Sequence, residues 1–363
     1  MGPVFGPRAL DVRIPLDYLL LMICLCDISA LELYRCSGRL APDVADSARV
    51  AKLSDCDVPH IGAVDDELCR LGVKTRPVHV LVGSSSRSHH KSGMVRHVRA
   101  TPLPARSLVR VDKGIKAVGP ELLFCNLAAR DDLDEVDLAL IGFELCAHYV
   151  LDPNPASWEG YTQIERPLTN ARRIRRTIER MGGSHGAPKA RAAVAHVRDG
   201  SNSPMETIMD ALFVLPRRLG GLGLGRGAEL NAKVDTPVGP KYVDLLLGGV
   251  GLEYKGVRAH SVDKTKRDDR RQNKLVGSGV MVLNVWYEDL VSDHLYHQLV
   301  DDVFRAMGRR LRVRDKGYAQ RSKLLRARLL PALRRYAGLD EEGLGNGDDS
   351  EARLPRDDAW PDE

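Results

Sequence analysis

The chain has 363 residues, of which 43% are hydrophobic and 28% charged, enough apolar material for two globular domains and too much for a wholly disordered chain. Aromatic residues are only 5%, so no stacking platform for single-stranded nucleic acid is visible. The formal charge of +5 understates the basic character: residues 340–363 hold ten acids against two arginines, which leaves +13 on the 339 residues before them.

In chain order, residues 16–40 read as a helix followed by a second short helical stretch ending at Ser37-Gly38. The most apolar run, 18–26, is bracketed by Asp17 and Asp27. It is too short to span a bilayer and lacks the charged, apolar, small-residue order of a signal peptide. Residues 41–71 read as partly helical. Strands are expected at 77–82 and 94–99, around a Ser-, His- and Lys-rich loop at 83–93. Gly119-Pro120 opens a helix over 121–129, and 133–149 continues as an amphipathic helix.

Pro153, Pro155 and Pro167 then punctuate the chain, Asn170 caps an Arg-rich helix, and Gly182-Gly183 ends it. Ser203, Pro204 and Glu206 open an apolar-periodic helix as N-cap, first helical position and capping-box acid. Alternation in 241–247 and again in 250–255 predicts two strands joined by Gly248-Gly249. A helix ending at Gly277-Ser278-Gly279 and a buried strand over 280–286 follow, then a basic helix to about residue 336 and a disordered acidic tail.

The seven cysteines, Cys24, Cys26, Cys36, Cys56, Cys69, Cys125 and Cys146, include no C-x2-C pair. That usage predicts reduced, mostly buried thiols in a cytoplasmic protein rather than a disulfide framework or a zinc site. Two stretches are strongly basic: 165–191 has eight Arg or Lys against two acids, and 305–335 has twelve against one. Each is a candidate phosphate-binding face or, equally, a solvated helix surface.

Chemistry concentrates in the predicted hairpin. With a side-chain period of two, Glu253 and Lys255 share one face of the second strand, and Asp244 on the first strand can stand beside them. Two carboxylates suffice to hold a hard divalent cation against a phosphate, and an ammonium beside them can assist deprotonation of water or stabilise developing charge. In isolation, an exposed ion pair explains the same three residues.

The order helix, three strands, helix, strand, together with Asp244-x8-Glu253-x-Lys255, resembles the PD-(D/E)XK nuclease superfamily in its branch related to very-short-patch-repair endonucleases, over about 199–307. The resemblance implies an α/β fold with a restriction-endonuclease-like αβββαβ core, and a catalytic cluster of Glu206, Asp244, Glu253 and Lys255 with Mg²⁺ or Mn²⁺ on Asp244 and Glu253. It places Arg271, within Asp268-x2-Arg271, at a phosphate, with Gln272, His260, Lys264 and Arg267 as further phosphate or DNA contacts. Val243 stands where the family name has proline, and His260 stands near a position where relatives carry histidine.

The pattern Arg96-His97-Val98 followed by Gly119-Pro120-Glu121-Leu122-Leu123-Phe124-x-Asn126-Leu127-Ala128 resembles bacterial type IV abortive-infection antitoxin-like regulators over about 70–150. This implies DNA binding by an N-terminal α+β domain, with Arg87, His89, His90 and Lys91 as candidate contacts. The expected organisation is an N-terminal mixed α+β domain over 1–151, a basic helical connector over 152–198, a nuclease-like domain over 199–308, a basic helix over 309–339 and the acidic tail over 340–363. Two functions follow from the resemblances: a Mg²⁺-dependent endodeoxyribonuclease in defence or repair, or a non-cleaving DNA-binding regulator or antitoxin that uses the same fold. DNA is the expected partner, with a toxin or defence-system protein as a second; no membrane is expected, and oligomeric state is open.

Overall fold

The computed structural model describes residues 22–36, 49–84, 92–152, 160–256 and 262–330, without the side chains of 262–269. The chain is mixed α/β and divides into two compact units, the first comprising mainly residues up to 155 with 161–207, the second mainly 208–228 with 232–363. Residues 161–198, expected to form a connector, fall within the first unit.

The first unit is built on a six-stranded mixed sheet in the order β2-β5-β6-β1-β3-β4. Its strands are β1 (Ile23–Leu25), β2 (Arg49–Val50), β3 (Val78–Val82), β4 (Met94–Val98), β5 (Leu108–Asp112) and β6 (Ile115–Val118). β1 runs parallel to β6 and antiparallel to β3, and β3 runs parallel to β4. The expected helix over 16–40 is corrected here. Residues 23–25 are a central strand, and α1 (Asp27–Cys36) begins two residues after it. A short continuous apolar run suits a strand buried on both faces as well as it suits a helix, and Ile23, Cys24 and Leu25 are all at most 1% exposed.

Helices α2 (Asp65–Arg70), α3 (Pro120–Ala128), α4 (Glu135–Leu145), α5 (Ala171–Arg180) and α6 (Ala187–Val194) belong to this unit, as does the small pair β7 (Tyr149–Leu151) and β8 (Tyr161–Gln163). Their starts follow local chemistry. Pro120 occupies the first turn of α3, the Asp134 carboxylate accepts from Val136 and Asp137 N–H at α4, and Asn170 accepts from Arg173 N–H at α5. In α5 the apolar stripe Ala171, Ile174 and Ile178 joins the same core as β1, which leaves Arg172, Arg173, Arg175, Arg176 and Arg180 in solvent.

Buried charge in this unit is paired. Arg35 donates in bidentate fashion to Glu144 at 2.9 and 2.8 Å, and Lys116, 2% exposed within β6, places its ammonium 2.8 Å from both Asp55 oxygens. All seven cysteines are free thiols; Cys24, Cys26, Cys56 and Cys146 are buried, Cys36 and Cys125 half-buried, and Cys69 exposed.

A four-stranded sheet in the order β12-β11-β10-β9 is formed by β9 (Ala228–Val234), β10 (Lys241–Leu247), β11 (Val250–Tyr254) and β12 (Met281–Val285), all of which, apart from Glu229–Asn231, belong to the second unit. α7 (Pro204–Val214) precedes these strands, and α8 (Val262–Gly277) lies between β11 and β12 in sequence. β10 and β11 are antiparallel, with Gly248 at φ +67° in the turn, whereas β11 and β12 are parallel. The strand expected to be buried over 280–286 is an edge strand instead, with Met281 52% exposed and Asn284 also in solvent.

The remaining helices are α9 (Tyr287–Val291), α10 (Asp293–Ala306) and α11 (Tyr318–Leu329). Arg326 of α11 is 5% exposed; it pairs with Asp293 and sits 4.5 Å from the centre of the Tyr296 ring. Among the described residues no helix is long and apolar enough to cross a membrane.

Candidate functional site

Alternation in β10 buries Val243, Leu245 and Leu247, and the ladder with β11 is regular from Leu245 opposite Leu252 to Leu247 opposite Val250. Beyond it, a side chain takes over from the ladder. The Asp244 Oδ2 accepts from the Tyr254 N–H at 2.9 Å, which holds this carboxylate against the peptide joining Glu253 to Tyr254. Glu253 is 4% exposed, and Lys255 Nζ stands 3.8 Å from its Oε2. The Lys255 N–H donates to Val285 carbonyl at 2.8 Å, so the β11–β12 ladder fixes the backbone from which the lysine projects.

The strongest contact of Glu253 is with Arg271 on α8. Nη1 and Nη2 donate to Oε2 and Oε1 at 2.6 and 2.9 Å, and Nη2 also donates to the Tyr242 carbonyl. Arg271, expected at a phosphate, is engaged with this buried carboxylate. Asp244 and Glu253 fit Mg²⁺ or Mn²⁺ in donor type, since both offer hard oxygen ligands. The guanidinium stands where the positive charge of such an ion would act, so a cation using Glu253 has to displace it. Gln272 is turned to β12, where its Oε1 accepts weakly from Asn284 Nδ2 at 3.4 Å.

Glu206 has a structural assignment. Its Oε2 accepts from Asn202 N–H and Asn231 Nδ2 at 2.8 and 2.7 Å, its Oε1 accepts from Ser203 Oγ at 3.1 Å, and its own N–H reaches Ser203 Oγ at 3.3 Å. This is a variant of the capping box that Ser203-x-x-Glu206 predicts, with the carboxylate on the Asn202 rather than the Ser203 N–H and extended to β9. A second acid on α7, Asp210, is fully buried. His260 and the side chains of Lys264, Arg267 and Asp268 lie outside the described residues, as do Arg87, His89, His90 and Lys91.

A second cluster, which pattern reading did not single out, lies in the first unit. Asp27 follows β1 with φ +53°, a left-handed backbone that Asp tolerates better than most residues. His79 on β3 and His97 on β4 come within 2.9 Å, Nδ1 to Nε2, and Asp27 Oδ1 lies 3.9 Å from His79 Nδ1. Burial pushes both imidazoles below the ordinary histidine value, and for His79 the neighbouring His97 and Arg130 add to that effect against the pull of Asp27. Arg130 of the segment after α3 donates to Asp27 Oδ1 at 2.6 Å.

The chain matches no protein-family model, no curated protein and no solved structure.

Proposed function

We propose that the chain is a metal-dependent DNA endonuclease whose site is the β10–β11 hairpin. The observation that carries this reading is the seating of the Asp244 carboxylate on the Glu253–Tyr254 peptide, with buried Glu253 and then Lys255 next along the strand. The strand order β9-β10-β11-β12, with β12 parallel to β11, supports the same reading, because it closes the helix, hairpin, helix, strand unit to which the resemblance points. Asp244 and Glu253 would hold Mg²⁺ or Mn²⁺. The bound metal supplies Lewis-acid activation of water and of the phosphodiester. Lys255 contributes a positive charge that the Glu253 pair orients, suited to an anionic phosphorane. The exposed arginines of α5 and Arg309, Arg310, Arg312 and Arg314 offer sequence-independent contacts to a phosphate backbone.

The bidentate Arg271–Glu253 pair favours a second reading, a non-cleaving DNA-binding regulator or antitoxin in which the acids are structural. Nicking of supercoiled plasmid with Mg²⁺ or Mn²⁺, run beside an Asp244→Ala protein, separates the two. Metal-dependent nicking that Asp244→Ala abolishes, with DNA affinity retained, is the expected result. Tight, salt-dependent DNA binding with no cleavage under either metal would establish the regulator reading instead.

A further inference from the structure

The first unit holds a site of different chemistry. We propose that Asp27, His79 and His97 form a binding site for one divalent transition-metal ion, open to the cavity between the sheet and α3, α5 and α6. The ligand atoms of these three residues all lie within 4.8 Å of one another.

The fold brings them together by strand adjacency. β1, β3 and β4 are consecutive in the sheet; Cys26 N–H donates to His79 carbonyl at 3.0 Å, which sets Asp27 beside β3. In the parallel β3–β4 pair, His79 faces Val95 and His97 faces Leu81, so both imidazoles emerge from the same side of the sheet. The Asp27 carboxylate is oriented through one oxygen: Oδ1 takes Ile28 N–H at 2.6 Å and Arg130 Nη1 at 2.6 Å, and among the described residues the recorded hydrogen bonds of this carboxylate all fall on Oδ1. Ile28 N–H and Arg130 Nη1 thus hold this carboxylate in place, as metal-binding carboxylates commonly are.

The nitrogens are spaced for an ion. Two nitrogens about 2.1 Å from one metal stand about 3.0 Å apart at a right angle and about 3.4 Å apart at the tetrahedral angle, and His79 Nδ1 and His97 Nε2, at 2.9 Å, are near the first. In the absence of metal that separation is a hydrogen bond from one ring N–H to the other ring nitrogen, and an ion bound between the two nitrogens would take its place. A two-nitrogen, one-carboxylate set selects Zn²⁺, Co²⁺, Ni²⁺ or Fe²⁺ over Mg²⁺ and leaves coordination positions open.

Beside the cluster lies a cavity of about 510 Å³ of mixed lining, in which Asp27 and His97 meet Arg99, Asn126, Arg130 and Asp132. Arg99 Nε and Asn126 Oδ1 are buried without a hydrogen-bond partner among the described residues, so a molecule beside the ion would meet both a donor and an acceptor.

The test is a cobalt(II) titration of the metal-stripped full chain carrying Asp244→Ala, which removes the hairpin acid from consideration. One equivalent is expected to bind with visible d–d absorption and without the sulfur charge-transfer bands of thiolate ligation, and Zn²⁺ but not excess Mg²⁺ should displace it. His97→Gln, at a half-buried position, should abolish that equivalent, as should Asp27→Asn. Zn²⁺ should raise the melting temperature of the parent and not of the His97→Gln protein, which tests the site even if the Asp27 variant folds poorly. No stoichiometric cobalt binding, or binding unchanged in the His97→Gln protein, overturns the proposal.

Discussion

Glu253 and Arg271 are joined by two parallel hydrogen bonds, of 2.6 and 2.9 Å, across the space between a strand and the helix that follows it. Among the described residues, Arg271→Ala leaves a 4% exposed carboxylate with the 3.8 Å approach of Lys255 as its remaining ion pair. A loss of about 3 kcal/mol in urea unfolding is expected, the low end for a broken buried pair because the arginine is itself partly exposed. The double variant Glu253→Gln with Arg271→Ala should recover part of it. If the hairpin binds metal, Arg271→Ala should also raise Mn²⁺ affinity, measurable by titration.

Glu206→Gln should keep the cap, since glutamine also serves in a capping box, and should leave both fold and any cleavage intact. Glu206→Ala should cost about 1 kcal/mol or slightly more, as it removes the acceptor of Asn202 N–H and Asn231 Nδ2. Loss of cleavage in the glutamine variant at unchanged stability would restore a catalytic role to this residue.

Acid should weaken the fold through at least two carboxylates. Burial pushes Asp55 and Asp293 up, but the hydrogen bonds and charge of Lys116 on the first, and of Arg326 and Lys323 on the second, outweigh it and hold both below the ordinary 3.8. Their stabilisation is complete above that value and is lost as pH falls through the lower folded-state values. The urea midpoint should therefore drop below about pH 4, and more shallowly in Asp293→Asn, which starts lower at neutral pH.

Gly220 has φ +95°, and a Cβ there would stand 2.4 Å from the Arg321 carbonyl oxygen of α11. Gly220→Ala combines a left-handed backbone with a main-chain clash, so destabilisation beyond about 1 kcal/mol is expected from thermal or urea unfolding.

Local signals made the hairpin legible. A Gly-Gly turn between alternating segments and a Ser-Pro-x-Glu helix start are chemistry of adjacent residues, and β10, β11 and α7 appear where those signals stand. β3, β4 and α3 were readable for the same reason. β6 was passed over: Lys116 interrupts its apolar pattern, and Asp55 with the Lys52 carbonyl, far away in sequence, makes that lysine tolerable in a buried strand. β1 was misread because an apolar run of that length carries no period to distinguish strand from helix. The Asp27, His79 and His97 cluster had no local signature, since its members meet only when β1, β3 and β4 become neighbours. The resemblance marks Arg271 as a phosphate contact, whereas the partner the fold gives it is a buried acid on another element, a fact of tertiary packing.

The distribution of the thiols makes the chain a convenient object for fluorescence work. Burial holds Cys36 and Cys125 up at about 11 and about 12, and Cys24, Cys26, Cys56 and Cys146 are shut away from solvent, which leaves Cys69 as the exposed nucleophile on α2. A maleimide dye at neutral pH should label the native protein once, at Cys69, and Cys69→Ser should bring labelling to background. That single handle lies outside both the hairpin and the Asp27 cluster, so a fluorophore there can report DNA or metal binding without replacing any residue proposed to make it.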